Sequence, residues 1–173
     1  LAHQPMKNNL TNTVISFNGE IYNFQELKKD LLKNGYLFKS NSDTEVLLIM
    51  YEKYGTDMLQ YLNGIFAFAI WDPKRELLFL ARDQYGVKPL YYTENSKGFL
   101  FASELKALLL EPSISKKIDT QSLHYYMSFL WSPAPNTFLK NIKKCEAGHA
   151  MLIKNNKIYK KLSYYDIPYE GKY

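Results

Sequence analysis

The run Asn18-Gly19-Glu20 is the first place in this sequence where residue types and spacing could do chemistry. Asn-Gly after the alternating, β-rich Thr13–Phe17 is the strongest two-residue hairpin turn. Against a hairpin, a capped helical pattern begins within a few residues of Glu20 and leaves little room for a paired return strand. Asn18-Gly19 then ends a strand at a sheet edge, where a side-chain amide and a backbone N–H converge as an oxyanion requires. Spacing alone leaves the two readings open. Asp43 lies in Ser42-Asp43-Thr44-Glu45, where an N-cap or first-turn acid needs no function. Arg82-Asp83, followed by Gly86-Val87-Lys88-Pro89, reads as an ion pair before a tight turn. Ser103-Glu104 reads as a helix start.

The remaining reactive side chains say less. His3, His124 and His149 are far apart and show no i, i+4 metal pairing. Cys145 follows Lys143-Lys144, which would lower its pKa. No pattern around it marks a nucleophile, and a half-buried structural thiol is the simpler reading. Asn9-Leu10-Thr11 matches a glycosylation sequon but has no secretory signal before it. Neither a Walker nor a Rossmann phosphate loop is present.

The elements that must position these residues follow from periodicity. Asn23, with Glu26 three residues on, predicts a capping box for a helix whose Phe24, Leu27, Leu31 and Leu32 share a face and which stops at Gly35. Ser42–Glu45 starts a second helix ended by Gly55, and a short helical piece covers Asp57–Leu62. Ile65–Trp71 and Leu77–Ala81, separated by Asp72-Pro73-Lys74-Arg75, predict a hairpin buried on at least one face. Leu90–Thr93 with Phe99–Ala102 forms another strand pair, and Met151–Ile153 with Lys157–Tyr159 a final hairpin around Asn155-Asn156. Glu104–Leu110 and a helix from Asp119 through Leu130 complete an α+β pattern of layered antiparallel sheets.

Composition excludes several function classes. The 173 residues suit one domain with a real core, and 46% hydrophobic against 23% charged residues excludes disorder. No uncharged apolar run approaches the ~20 residues needed to span a bilayer, so no membrane association is expected. A net charge of +5 invites nucleic acid, but Arg75 and Arg82 are the only arginines among 22 basic residues. The lysines are scattered and form no basic stripe, so no nucleic-acid partner is expected. A single cysteine excludes internal disulfides and multi-cysteine metal sites, and a reduced cytoplasmic setting is the default. The first residue is Leu1 and not Met, which suggests a fragment or a trimmed product.

Longer segments carry more than spacing can. SFNGEIYNFQELKKDLLKNGYLF, SNSDTEVLLIMYEKYG, LNGIFAFAIWD, LFLARDQYGVKPLYY and FLFASELKALL resemble, in order, the glutamine amidotransferase domain of glutamine-hydrolysing asparagine synthetases. AHQPM resembles the lead-in to the family's NGE strand, PAPNTFLKNIKKCEAGHAML its closing stretch and YYDIPY its exit segment. The resemblance implies an N-terminal-nucleophile amidohydrolase fold, a four-layer αββα sandwich of antiparallel sheets, over residues 1–169. Residues 170–173 would begin a linker to a synthetase domain. In that family an N-terminal cysteine attacks the glutamine amide while its own α-amine manages the proton. The resemblance puts Asn18 and Gly19 at the oxyanion hole, and Asn18, Gly19, Glu20 and Asp43 around bound glutamine. Arg82-Asp83 and Ser103-Glu104 become scaffold and lining of the route by which ammonia leaves.

Two departures shape the expectation. The segment that should carry the nucleophilic cysteine and the arginine for the glutamine carboxylate is not in this sequence, and Cys145 falls where the family has an apolar residue. The ATP-dependent synthetase domain expected after the exit segment is missing too. The fold is thus expected to be incomplete at its N-terminus, with an exposed sheet edge. By itself the chain is expected neither to hydrolyse glutamine nor to form asparagine. The implied parent reaction turns aspartate, ATP and glutamine into asparagine, AMP, pyrophosphate and glutamate. No cofactor is expected in this domain; ATP and Mg belong to the synthetase domain, reached through an ammonia channel. A homodimer is compatible with the resemblance. Two other functions fit: a relative that amidates another carboxylate in polysaccharide or natural-product synthesis, and a non-catalytic module that binds glutamine or a partner.

Overall fold

The computed structural model describes residues 3–167. Two antiparallel sheets form its centre. The larger orders its strands β1 (Met6–Lys7), β2 (Val14–Ile21), β3 (Gly64–Asp72), β4 (Leu77–Arg82), β8 (His149–Lys154) and β9 (Lys157–Ser163). The smaller orders β6 (Gly98–Ala102), β5 (Tyr91–Asn95) and β7 (Lys143–Lys144). β2 pairs with β3 without interruption from Val14 opposite Trp71 to Ile21 opposite Gly64.

Alternation along β3 builds the layers. Phe66, Phe68 and Ile70 face one way, into a core with Ile15, Phe17 and Ile21 of β2 and with Val46, Leu47 and Met50 of helix α2 (Asp43–Tyr54). Helix α1 (Phe24–Lys33) adds Leu31 to the same core. Ala67 and Ala69 face the other way, where their small side chains admit Leu90, Tyr92 and Cys145 from the second sheet's side, along with Met151 and Ile153 of β8. Because β3 is covered on both faces, its apolar run is continuous rather than alternating. On the outer face of the small sheet, Leu108 of helix α3 (Leu105–Leu108) packs with Ile114 and Ile142 against Tyr91, Leu100 and Ala102. The stack is the αββα sandwich. Helix α4 (Thr120–Phe129) follows, capped by the Asp119 carboxylate on Ser122 N at 2.8 Å.

Several expectations need correction. Asn18-Gly19-Glu20 does not end its strand, because β2 continues through Ile21 against β3. The Asn23 side chain does not cap α1: Oδ1 accepts from Asn63 N at 3.1 Å and Nδ2 donates to Tyr61 O at 2.9 Å. An amide carries both a donor and an acceptor, and the loop before β3 satisfies both at once. The short helical piece is a 3₁₀ helix, Gly55–Tyr61. α3 is a single turn, and the rest of its expected length is tightened into i→i+3 bonds from Leu110 N to Ala107 O and Glu111 N to Leu108 O. The expected linker, 170–173, lies outside the described residues.

Candidate active site

Strand pairing decides which backbone groups of β2 are open. Phe66 stands opposite Gly19, yet its N–H donates to Asp83 Oδ2 at 3.2 Å and its carbonyl accepts from Asp83 N at 2.8 Å. Phe66 therefore turns its polar groups away from β2, and Gly19 correspondingly turns its own away from β3. By the period of two, the N–H groups of Ile15, Phe17, Gly19 and Ile21 all point to the outer edge. Ile15 lies in the pairing with β1, opposite Met6. Phe17 N donates to Gln4 Oε1 at 2.6 Å, and Ile21 N to Asp43 Oδ2 at 3.2 Å. Among the described residues nothing accepts the Gly19 N–H, which leaves one open donor between two occupied ones.

Gly19 can be nothing larger. A Cβ there would lie 2.1 Å from Ile65 O and 2.7 Å from Phe66 Cα, at φ +152°. Across the ladder a Cβ on Gly64 would meet Glu20 O at 2.3 Å, so the two glycines bring β2 and β3 unusually close.

Side chains complete the edge. Asn18 and Glu20 project to the face opposite Phe17 and Ile21, toward the small sheet, and both are exposed. Asn18 Nδ2 donates to Ser103 Oγ at 3.4 Å. Beside them is a cleft of about 200 Å³, bordered by Ser16, Asn18, Ala67, Ala69, Phe101 and Ser103. Asp43 occupies the first turn of α2, whose N-cap Ser42 accepts from Glu45 N at 3.3 Å, and Asp43 Oδ1 accepts from Thr44 N at 2.8 Å. Oδ1 also accepts from the Thr44 hydroxyl at 3.5 Å, which leaves the second lone pair of Oδ2 for a cation. Asn18, Gly19, Asp43 and Ser103 thus meet at one strand edge; Glu20 extends the same face, while Glu104 turns away to pair with Lys106 at 2.6 Å.

Arg82 and Asp83 do not pair with each other. Buried Asp83 accepts from Phe66 N, Tyr85 N, Val87 N and Lys88 N, at 2.9–3.2 Å. Arg82 donates instead to the carbonyls of Lys88, Cys145 and Gly86. Four converging N–H groups already satisfy a buried carboxylate, which frees the guanidinium for carbonyls. Together they fix the corner after β4, and through Phe66 that corner reaches the residue opposite Gly19.

Cys145 is fully buried between the sheets, with Sγ 3.7 Å from His149 O. Burial pushes its thiol up to about 12, the reverse of the lowering expected from the neighbouring lysines. It has none of the exposure or thiolate character of a nucleophile. Among the described residues no group of three His, Cys, Asp or Glu side chains could hold a metal ion, and no helix is long and apolar enough to cross a membrane. The sequence reading missed Gln4, whose bond to Phe17 spans 13 residues and has no local signature.

Fold and edge together define an αββα sandwich whose larger sheet, among the described residues, leaves the edge of β2 open beside the small sheet. The structure matches a glutamine phosphoribosylpyrophosphate amidotransferase from B. subtilis, solved with ADP and GMP, at a TM-score of 0.67. That match covers 94% of this chain and 32% of the other at 21% identity, a likeness of fold. Residues 1–165 match the glutamine amidotransferase domain family, and the chain belongs to it. Asparagine synthetase [glutamine-hydrolyzing] 3 of Bacillus subtilis (strain 168) is 46% identical over 82% of this chain and 23% of its own length. A putative asparagine synthetase [glutamine-hydrolyzing] 2 of Methanocaldococcus jannaschii is 36% identical over 96% of this chain and 35% of its own. The chain spans about a quarter to a third of the length of these relatives.

Proposed function

We propose that this chain is the glutaminase portion of an asparagine synthetase-type enzyme, and that the parent enzyme releases ammonia from glutamine bound at the β2 edge. The observation that carries the proposal is the unclaimed Gly19 N–H beside the exposed Asn18 carboxamide, at an edge where Phe17 and Ile21 are already satisfied. Attack on the side-chain amide carbon moves the π electrons onto oxygen, and these two donors hold the negative charge. Glu20 and Asp43 face the α-ammonium, for which a charged acceptor is the suitable partner. The attacking thiolate is not that of Cys145, which is buried away from this edge. Collapse of the adduct breaks the C–N bond as the nucleophile's α-amine, holding the thiol's proton, gives it to the leaving nitrogen. Ammonia departs, and hydrolysis of the thioester then releases glutamate. Ammonia leaves through the cleft beside Ser103 toward a synthetase domain, where ATP and Mg²⁺ activate aspartate.

The experiment is a glutaminase assay on the parent enzyme. Asn18→Ala should lower kcat by ~10²–10³. A polypeptide of these 173 residues alone, whose only cysteine is Cys145, should release no glutamate above buffer. An unchanged kcat in Asn18→Ala refutes the oxyanion assignment.

A further inference from the structure

Continued pairing of the N-terminal segment along β2 would close the site. β1 sets Lys7 opposite Val14 and Met6 opposite Ile15, so two more steps in register bring Gln4 opposite Phe17. A backbone carbonyl there would take the Phe17 N–H, and the next outward donor to be consumed would be that of Gly19. Among the described residues the backbone ladder stops short of this. Gln4 places its side-chain Oε1, not its carbonyl, on the Phe17 N–H at 2.6 Å. On the other side of Gly19 the acceptor is again a side chain, Asp43 Oδ2 on Ile21 N. The open donor is therefore bracketed by two side-chain clamps, each about 7 Å from it along the strand.

We propose that Gln4 is a positioning residue for the oxyanion donors. Its carboxamide takes the Phe17 N–H in place of a backbone carbonyl and pins β2 there, so that, among the described residues, the Gly19 N–H faces the site and no competing donor is open beside it. The proposal rests on the oxyanion role given to Gly19 above. It goes beyond that role by assigning a residue 15 positions upstream that touches neither substrate nor nucleophile.

The test is residue-resolved NMR on the full chain. In Gln4→Ala the Phe17 amide should exchange about tenfold faster or more, as for an edge group released locally. The Gly19 amide resonance should move and L-glutamine should bind more weakly, with the denaturation midpoint little changed because Gln4 is exposed. Gln4→Glu, which keeps a terminal oxygen acceptor, should restore Phe17 protection. Gln4→Asn, one methylene shorter, should behave as Gln4→Ala and serves if the alanine variant does not fold. An unmoved Gly19 resonance, or Phe17 exchange at the wild-type rate, overturns the proposal. Failure of the wild-type chain to bind L-glutamine counts instead against the functional reading, and the Phe17 and Gly19 signals still decide the role of Gln4.

Discussion

Gly19 is confined by backbone on the β3 side and open on the other, and both facts come from the missing side chain. A methyl group would have to displace Ile65 O and Phe66 Cα, which lie 2.1 and 2.7 Å from where its carbon would sit. Neither is the flexible end of a side chain. Gly19→Ala should therefore cost about 3 kcal/mol, the upper part of the usual range for overpacking. A urea melt will measure the loss, and a midpoint within error of wild type would contradict the close approach. Asn18 and Glu20 are exposed and carry no such structural burden, so their chemistry can be altered with the fold intact. The sequence reading put a backbone N–H at this position but could not fix the way it points, which depends on a partner strand about 50 residues away.

Helix α2 is the element that brings Asp43 to the strand edge, and its start was legible in the residues themselves. Ser42 caps it as the Ser-Asp-Thr-Glu pattern predicts, accepting from Glu45 N. Ser42→Ala should destabilise the protein by about 1 kcal/mol, and thermal denaturation will show whether it does. The same logic failed at α1, where Asn23 reaches the loop before β3 instead of its own helix. Long-range partners explain the other misses. The two-residue strands β1 and β7 have no periodicity to read and exist only through β2 and β5. Arg82 and Asp83 looked like a local pair, but the four N–H groups that Asp83 holds include one on β3. By contrast, the unbroken apolar run of β3 announced a covered strand, although not that both its faces would be covered.

At the scale of the whole molecule, the sandwich buries weak acids that have no role at the site. Burial raises the thiol of Cys145 to about 12, and burial also raises the hydroxyls of Tyr164 and Tyr51. Each stays protonated in the fold at a pH where the unfolded chain has already released its proton. Their contribution to stability is complete below about pH 8.5, the free thiol's value, and declines as pH rises toward the folded values. Denaturant midpoints at pH 7 and pH 10 should differ, with the lower at pH 10; equal midpoints would contradict the burial of these groups. The central claim, that glutamine is held by the open edge of β2, is tested most directly by titrating L-glutamine into ¹⁵N-labelled chain. The Gly19 backbone amide and the Asn18 side-chain amide should move together and saturate, with D-glutamine leaving them in place. Saturable shifts centred elsewhere, or none at Gly19, would contradict it.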